Sequence, residues 1–167
     1  GVLLIIRAMD KLRDLPVKME FIGTGYATEE MKNLIRQLHL EDKVTLNGVI
    51  SDREVLKSYY GAADMFLFPS RYDNAPLVVR EAAMMGTPAV LIAGSTASEV
   101  IKDGFNGFLV EESPESYASR IRSLYNDRSA IQEAAEGASK TLTRSWREVM
   151  EEVVGRYEEI IERYGRR

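Results

Sequence analysis

Asp73 and Glu81 stand eight positions apart, one on each side of the start of a helix-forming stretch. The loop Phe68-Pro69-Ser70-Arg71-Tyr72-Asp73-Asn74-Ala75-Pro76 leads into Leu77 to Met85, which is helical by composition and stops at Gly86-Thr87-Pro88. Pro69 and Pro76 restrict the backbone of the loop. A helix start leaves backbone N–H groups without partners. Here they fall near Leu77 and Val78, where the helix dipole also favours an anion such as a diphosphate. Asp73 precedes that start. Glu81 lies one to two turns inside, where a carboxylate accepts hydrogen bonds from vicinal hydroxyls. The arrangement suits a hydroxylated ligand with a phosphate in its middle. The same residues permit a plainer reading, with Asp73 capping a turn and Glu81 on a solvated helix face. Residue types alone leave both open.

Other chemistries are poorly provided for. The chain has no cysteine and one histidine, so disulfides and thiolate zinc sites are excluded. His39 follows an amphipathic helix with no second His or Cys nearby, which points to a structural role. Gly23-Thr24-Gly25 lacks the third glycine of a dinucleotide fingerprint, and Glu29 stands there instead. No Gly-Lys-Ser/Thr phosphate loop exists. Ser70 and Ser95 have no histidine nearby to make a hydrolase triad. Arg120, Arg122 and Arg128 read as a solvated helix face, and Arg144, Arg147 and Arg156 as an exposed end. The net charge of -4 argues against a basic nucleic-acid footprint. No apolar run approaches the roughly 20 residues of a membrane span, and no cleavable signal is visible.

The elements that must position these residues alternate. Strands are predicted at Val17–Ile22, Lys43–Leu46, Met65–Phe68, Ala89–Ile92 and Phe108–Val110. The continuous apolar runs at Met65–Phe68 and Ala89–Ile92 imply strands covered on both faces. Helices are predicted at Thr28–Leu38 with a Thr28 cap, from Ser51-Asp52-Arg53-Glu54 with capping-box spacing to about Gly61, and over roughly 114–126, 128–140 and 144–163. Ser98–Lys102 reads as a helical turn. Val2, Ile5, Ile6, Met9 and Leu12 share a helical face, so the opening run is predicted helical. Trp146, Val149, Val153, Tyr157 and Ile160 form a packing face on the last helix. This rhythm means α/β, a Rossmann-like parallel sheet with helices on both faces. Ligands of such sheets bind at the strand carboxyl ends, which directs attention to loops 23–27, 47–51, 69–77 and 93–98.

These motifs, taken in order, resemble the C-terminal domain of retaining glycosyltransferases of the glycosyl transferase group 1 type. The resemblance rests on Phe21-Ile22-Gly23-Thr24-Gly25, Val44 to Val49, Ala62-Ala63-Asp64, Phe68 to Tyr72, Asp73 with Glu81, Gly86-Thr87-Pro88-Ala89-Val90 and Glu99 to Val110, and covers about residues 1–160. The family pattern has a pair of glutamates at the spacing of Asp73 and Glu81. The resemblance implies the donor-binding half of a two-domain GT-B enzyme. Such an enzyme moves a sugar from a nucleotide-sugar to a hydroxyl acceptor with retention of configuration. Glu81 would then hold the ribose hydroxyls and Asp73 would be the catalytic-site acid at the donor sugar. Asn74, Ala75, Pro76, Leu77 and Val78 would meet the sugar and diphosphate. Gly23 and Gly25 would let the backbone approach the nucleotide, and Val49 would lie near the base. No metal or cofactor is expected, since helix dipole and basic side chains serve instead. The partners implied are the nucleotide-sugar and an N-terminal acceptor domain of the same polypeptide. The setting implied is the cytoplasm, in bacterial-type carbohydrate or glycolipid synthesis, with membrane contact only through the other domain.

Departures from the pattern are local. Asp73 is one methylene shorter than the family's Glu, Ala75-Pro76 replaces an aromatic-Gly pair, and no match is found for an Arg and Lys that follow the family's first strand. Because the chain opens at Gly1 on an apolar run, we expect a single domain over 1–167 that is a fragment lacking that central strand. Two other readings share the architecture, a non-catalytic interaction module and a nucleotide-sugar epimerase. The spacing of Asp73 and Glu81 favours transfer over the epimerase.

Overall fold

A computed structural model describes residues 1–165, so the last two residues of the expected domain lie outside the described part. Strands β1 (Met19–Phe21), β2 (Val44–Leu46), β3 (Phe66–Phe68), β4 (Ala89–Ile92) and β5 (Phe108–Val110) alternate with helices in the first two thirds of the chain. The helices are α1 (Val2–Asp10), α2 (Thr28–Gln37), α3 (Arg53–Ala62), α4 (Leu77–Met84), α5 (Pro114–Asn126), α6 (Arg128–Thr141) and α7 (Trp146–Tyr164). A 3-10 turn spans Thr96–Val100, two residues earlier than its sequence signal. The opening residues are helical, as the apolar periodicity requires, and α1 buries Ile5, Ile6, Ala8 and Met9.

Every strand pairing is parallel, but the strands form two sheets, β1–β2 and β3–β4–β5, rather than one. Side chains join them. Ile5, Ile6 and Met9 of α1, Leu34 and Ile35 of α2, Val90 and Ile92 of β4, and Tyr117 and Ile121 of α5 belong to one apolar core. The division corrects the reading of Met65–Phe68. β3 has a partner only in β4, so its three residues are half-buried rather than covered, whereas all four residues of the central strand β4 are buried.

Two predicted caps are shifted. Ala27 is the N-cap of α2, and the Thr28 hydroxyl turns back to Gly25 instead. Asp52, not Ser51, caps α3, accepting from the amides of Glu54 (2.8 Å) and Val55 (3.3 Å). A full capping box occurs at Ser145 and Glu148, at the start of α7. His39 lies just past α2 with φ +49, in the left-handed region that ends many helices, which accounts for it structurally.

The arginines expected on a solvated face are tethers. Arg120 pairs with Asp103 (2.9 Å) and Arg128 with Asp64, while Arg122 grips Asp14 through two contacts of 2.5 and 2.7 Å. The last pair ties the turn after α1 to α5. The Arg122 guanidinium, by hydrogen bonding, holds the Asp14 carboxyl down at about 2. A depressed folded-state value means that the pair stabilises above the ordinary Asp range and that the contribution is lost as pH falls through about 2. Asp14→Asn is therefore expected to lower the urea midpoint at pH 7 modestly, since the pair is exposed. Its midpoint should approach that of the parent chain as pH drops from about 4 towards 2. A constant difference across that range would exclude the pair as its source.

The packing face predicted for the last helix is largely open, with only Val149 and Val153 half-buried. No residue of α7 is buried, and Trp146 is 83% exposed. Of Arg144, Arg147 and Arg156, predicted as an exposed end, Arg144 just before α7 and Arg156 within it both pair with Glu152 of that helix.

Candidate functional site

The loop between β3 and α4 is held from two sides. The Thr96 amide donates to the Arg71 carbonyl (3.2 Å). The Thr96 hydroxyl reaches the carbonyls of Asp73 (3.1 Å) and Arg71 (3.3 Å). The Arg71 guanidinium pairs with Glu112, just beyond β5. Asp73 is half-buried, while Asn74 and Ala75 are exposed. Ala75 takes φ +53, a left-handed conformation that costs a side chain about 1–2 kcal/mol. The kink delivers the buried Pro76 to the N-cap of α4.

Pro76 supplies no side-chain cap, so the Leu77 and Val78 amides stand free at the start of α4, where the sequence placed them. Val79, Ala82 and Ala83 hold the helix down. Leu77, 72% exposed, and Glu81 lie one turn apart on its outer face. Tyr60 of α3 lies beside Glu81. Its ring meets Phe66 edge-on at 5.6 Å, and its carbonyl accepts from the Thr87 hydroxyl at 2.5 Å. Burial pushes the Tyr60 phenol up to about 12, helped by the charge and hydrogen bonding of the Glu81 carboxylate.

The loops after β1 and β2 form a second group. The Gly23 amide donates to the Gly48 carbonyl (2.6 Å), and the Gly25 amide to the Thr28 hydroxyl (2.9 Å). Both amides are thus engaged within the protein, so these glycines offer surface rather than donors. A Cβ built on either would meet no atom within 4 Å. Val49 follows Gly48 and is 68% exposed. No hydrogen bond joins this group to the Asp73 loop among the described residues. Exposed apolar side chains nonetheless line both groups: Ile22, Tyr26 and Val49 on one, Tyr72 and Leu77 on the other.

Sequence reasoning did not single out Tyr60 or Thr96. The hydroxyl-rich run Gly94-Ser95-Thr96 at a strand carboxyl end was a signal for the second. Nothing in the spacing of α3 marks the first. Among the described residues no cluster of three His, Asp or Glu could hold a metal ion, and no helix is long and apolar enough to cross a membrane.

Residues 1–141 match the family model for glycosyl transferases group 1. The chain belongs to this family. An uncharacterised glycosyltransferase of Methanocaldococcus jannaschii is 29% identical over 170 residues, covering 99% of this chain and 43% of that protein. The C-terminal domain of a glycosyl transferase group 1 family protein, LpcC of Francisella tularensis, superposes with a TM-score of 0.76 at 24% identity, over 85% of this chain and 77% of that one. Anabaena HepE, solved in complex with UDP, gives a TM-score of 0.75 at 23% identity, over 85% of this chain and 40% of its own. The chain spans less than half the length of the M. jannaschii relative. At these identities the structures establish the fold, which is that of the C-terminal domain of GT-B glycosyltransferases. Within this glycosyl transferase group 1 fold, the carboxyl ends of the strands carry both residue groups described above.

Proposed function

We propose that this chain is the donor-binding half of a glycosyltransferase that moves a sugar from a nucleotide-sugar to a hydroxyl acceptor with retention of configuration. The observation that carries the reading is the uncapped start of α4, with free Leu77 and Val78 amides between Asp73 and Glu81. In this reading the diphosphate sits on those amides and on the exposed backbone of Asn74 to Pro76. Glu81 accepts from the ribose hydroxyls. Gly23, Gly25 and Val49 border the nucleoside, and Asp73 stands at the sugar. HepE, which shares the fold, was solved in complex with UDP, which supports a nucleotide as the class of ligand.

During transfer the bond between the anomeric carbon and the diphosphate oxygen breaks. A bond to the acceptor oxygen forms on the same face of the sugar, and the acceptor hydroxyl passes its proton to the departing diphosphate oxygen. Charge builds on the leaving diphosphate, where preorganised helix amides stabilise it without a metal. The acceptor comes from an N-terminal domain of the same polypeptide. The setting is the cytoplasm, with any membrane contact made through that domain.

A titration of the chain with UDP, GDP and ADP, followed by NMR, tests the site. At least one nucleotide should shift resonances within residues 73–81, and Glu81→Ala should weaken that binding. Shifts confined to other regions, or equal binding by the variant, would overturn the assignment.

A further inference from the structure

Asp73 receives a single hydrogen bond among the described residues, the one from the Thr96 hydroxyl to its carbonyl at 3.1 Å. Thr96 itself is anchored on both sides. Before it, the Ser95 amide donates to Ile92 at the end of the buried strand β4 (3.2 Å). After it, Ala97 and Ser98 are buried, and the Ser98 amide and hydroxyl both return to the Ser95 carbonyl (3.0 and 2.7 Å). Ala97 shares an apolar cluster with Leu91 of β4 and with Val79 and Ala83 of α4. The hydroxyl has one proton to share between two carbonyls, and the shorter contact is to Asp73. The amide holds Arg71 independently. Two residues past Asp73, Ala75 is held at φ +53, a conformation the chain leaves readily once it is not enforced.

We infer that Thr96 is the positioning residue for Asp73: its hydroxyl transmits the fixed position of β4 to the peptide that carries the carboxylate. The Arg71–Glu112 pair holds the loop by a side chain two residues away and makes no contact with the Asp73 peptide. Thr96 therefore governs how the chain holds the sugar portion of a donor, and leaves the grip on the nucleotide to Glu81 and the α4 amides. The inference rests on the proposed placement of Asp73 at the sugar.

The test compares Thr96→Val, which keeps shape but loses the hydroxyl, with Thr96→Ser, which keeps it. Thr96→Ala serves as a second deletion should the valine disturb packing. Amide hydrogen exchange is read without ligand at residue 96, whose N–H donates to the Arg71 carbonyl of the loop. Dissociation constants are read for the matched pairs UDP and UDP-glucose, GDP and GDP-mannose, ADP and ADP-glucose. The deletions should speed exchange at residue 96, beyond the difference in intrinsic rate, and weaken the nucleotide-sugar about tenfold, while the diphosphate changes less than about twofold. Serine should restore both. Unchanged exchange, equal weakening of both ligands, or failure of serine to rescue would each overturn the inference. Asp73→Asn runs in parallel. If it leaves the ratio of the two constants unchanged, or if no nucleotide-sugar binds the parent chain, the placement at the sugar fails. The exchange data then still decide whether Thr96 fixes the loop.

Discussion

Gly137→Ala is expected to destabilise the chain by about 2–3 kcal/mol, although it replaces a glycine inside a helix. On propensity alone alanine would gain about 1 kcal/mol at such a position. Packing opposes it. A Cβ on Gly137 would lie 1.9 Å from the Phe105 carbonyl oxygen and 2.9 Å from its carbon. That backbone cannot retreat, because the adjoining Asn106 is 2% exposed and triply bound. Its side chain accepts from the Lys102 amide (2.7 Å) and donates to the Val100 carbonyl (3.1 Å) and the Thr141 hydroxyl (2.9 Å). Thr141 lies one turn further along the same α6. The helix and the 102–107 turn are thus fastened together where the new methyl would have to fit. Urea unfolding should show a lowered midpoint at an unchanged slope. A neutral or stabilising result would mean that α6 does not meet this turn through Gly137.

The second large effect is on binding. Glu81→Ala removes an exposed carboxylate whose protein neighbour is the Tyr60 phenol, so the urea midpoint should fall only slightly. Hydrogen bonds to a charged group are worth about 1.5–3 kcal/mol, so the dissociation constant of the best nucleotide should rise roughly tenfold to a hundredfold. A 2′-deoxynucleotide adds a sharper arm. The parent chain should discriminate against it, and the alanine variant should not. Equal discrimination by both would place the ribose elsewhere. Glu81→Gln, which still accepts one hydrogen bond, should fall between the two.

Much of this was legible in the chain itself. The alternation of short apolar runs with amphipathic stretches locates all five strands, and the α4 start at Leu77 agrees with its sequence signal. Local patterns work there because each is decided by neighbours in sequence. Three features failed that condition. Whether Met65–Phe68 is covered on both faces depends on which strands flank it, and β3 has one neighbour. The roles of Arg120, Arg122 and Arg128 depend on acids at positions 103, 14 and 64, distances in sequence that no helix pattern reports. The caps of α2 and α3 moved by one residue because Thr28 and Asp52 each had a nearer backbone partner. The position of Asp73 and Glu81 on either side of the α4 start was legible from spacing. Thr96 and Tyr60 were not, because their contacts cross between elements. Gly23 and Gly25 were expected to let the backbone approach a nucleotide; their amides are engaged within the protein, a detail their spacing does not report.

The exposed final helix has an optical consequence. Trp146 is the sole tryptophan of the chain, and it sits on a helix that buries nothing. Its emission is therefore already that of an indole in water while the core is intact. It will hardly move when β4 and its neighbours unfold. Any surface that settles onto the apolar stripe of Trp146, Met150 and Tyr157 will shift it to the blue. The native fluorophore is thus a poor gauge of folding and a built-in sensor of what covers α7.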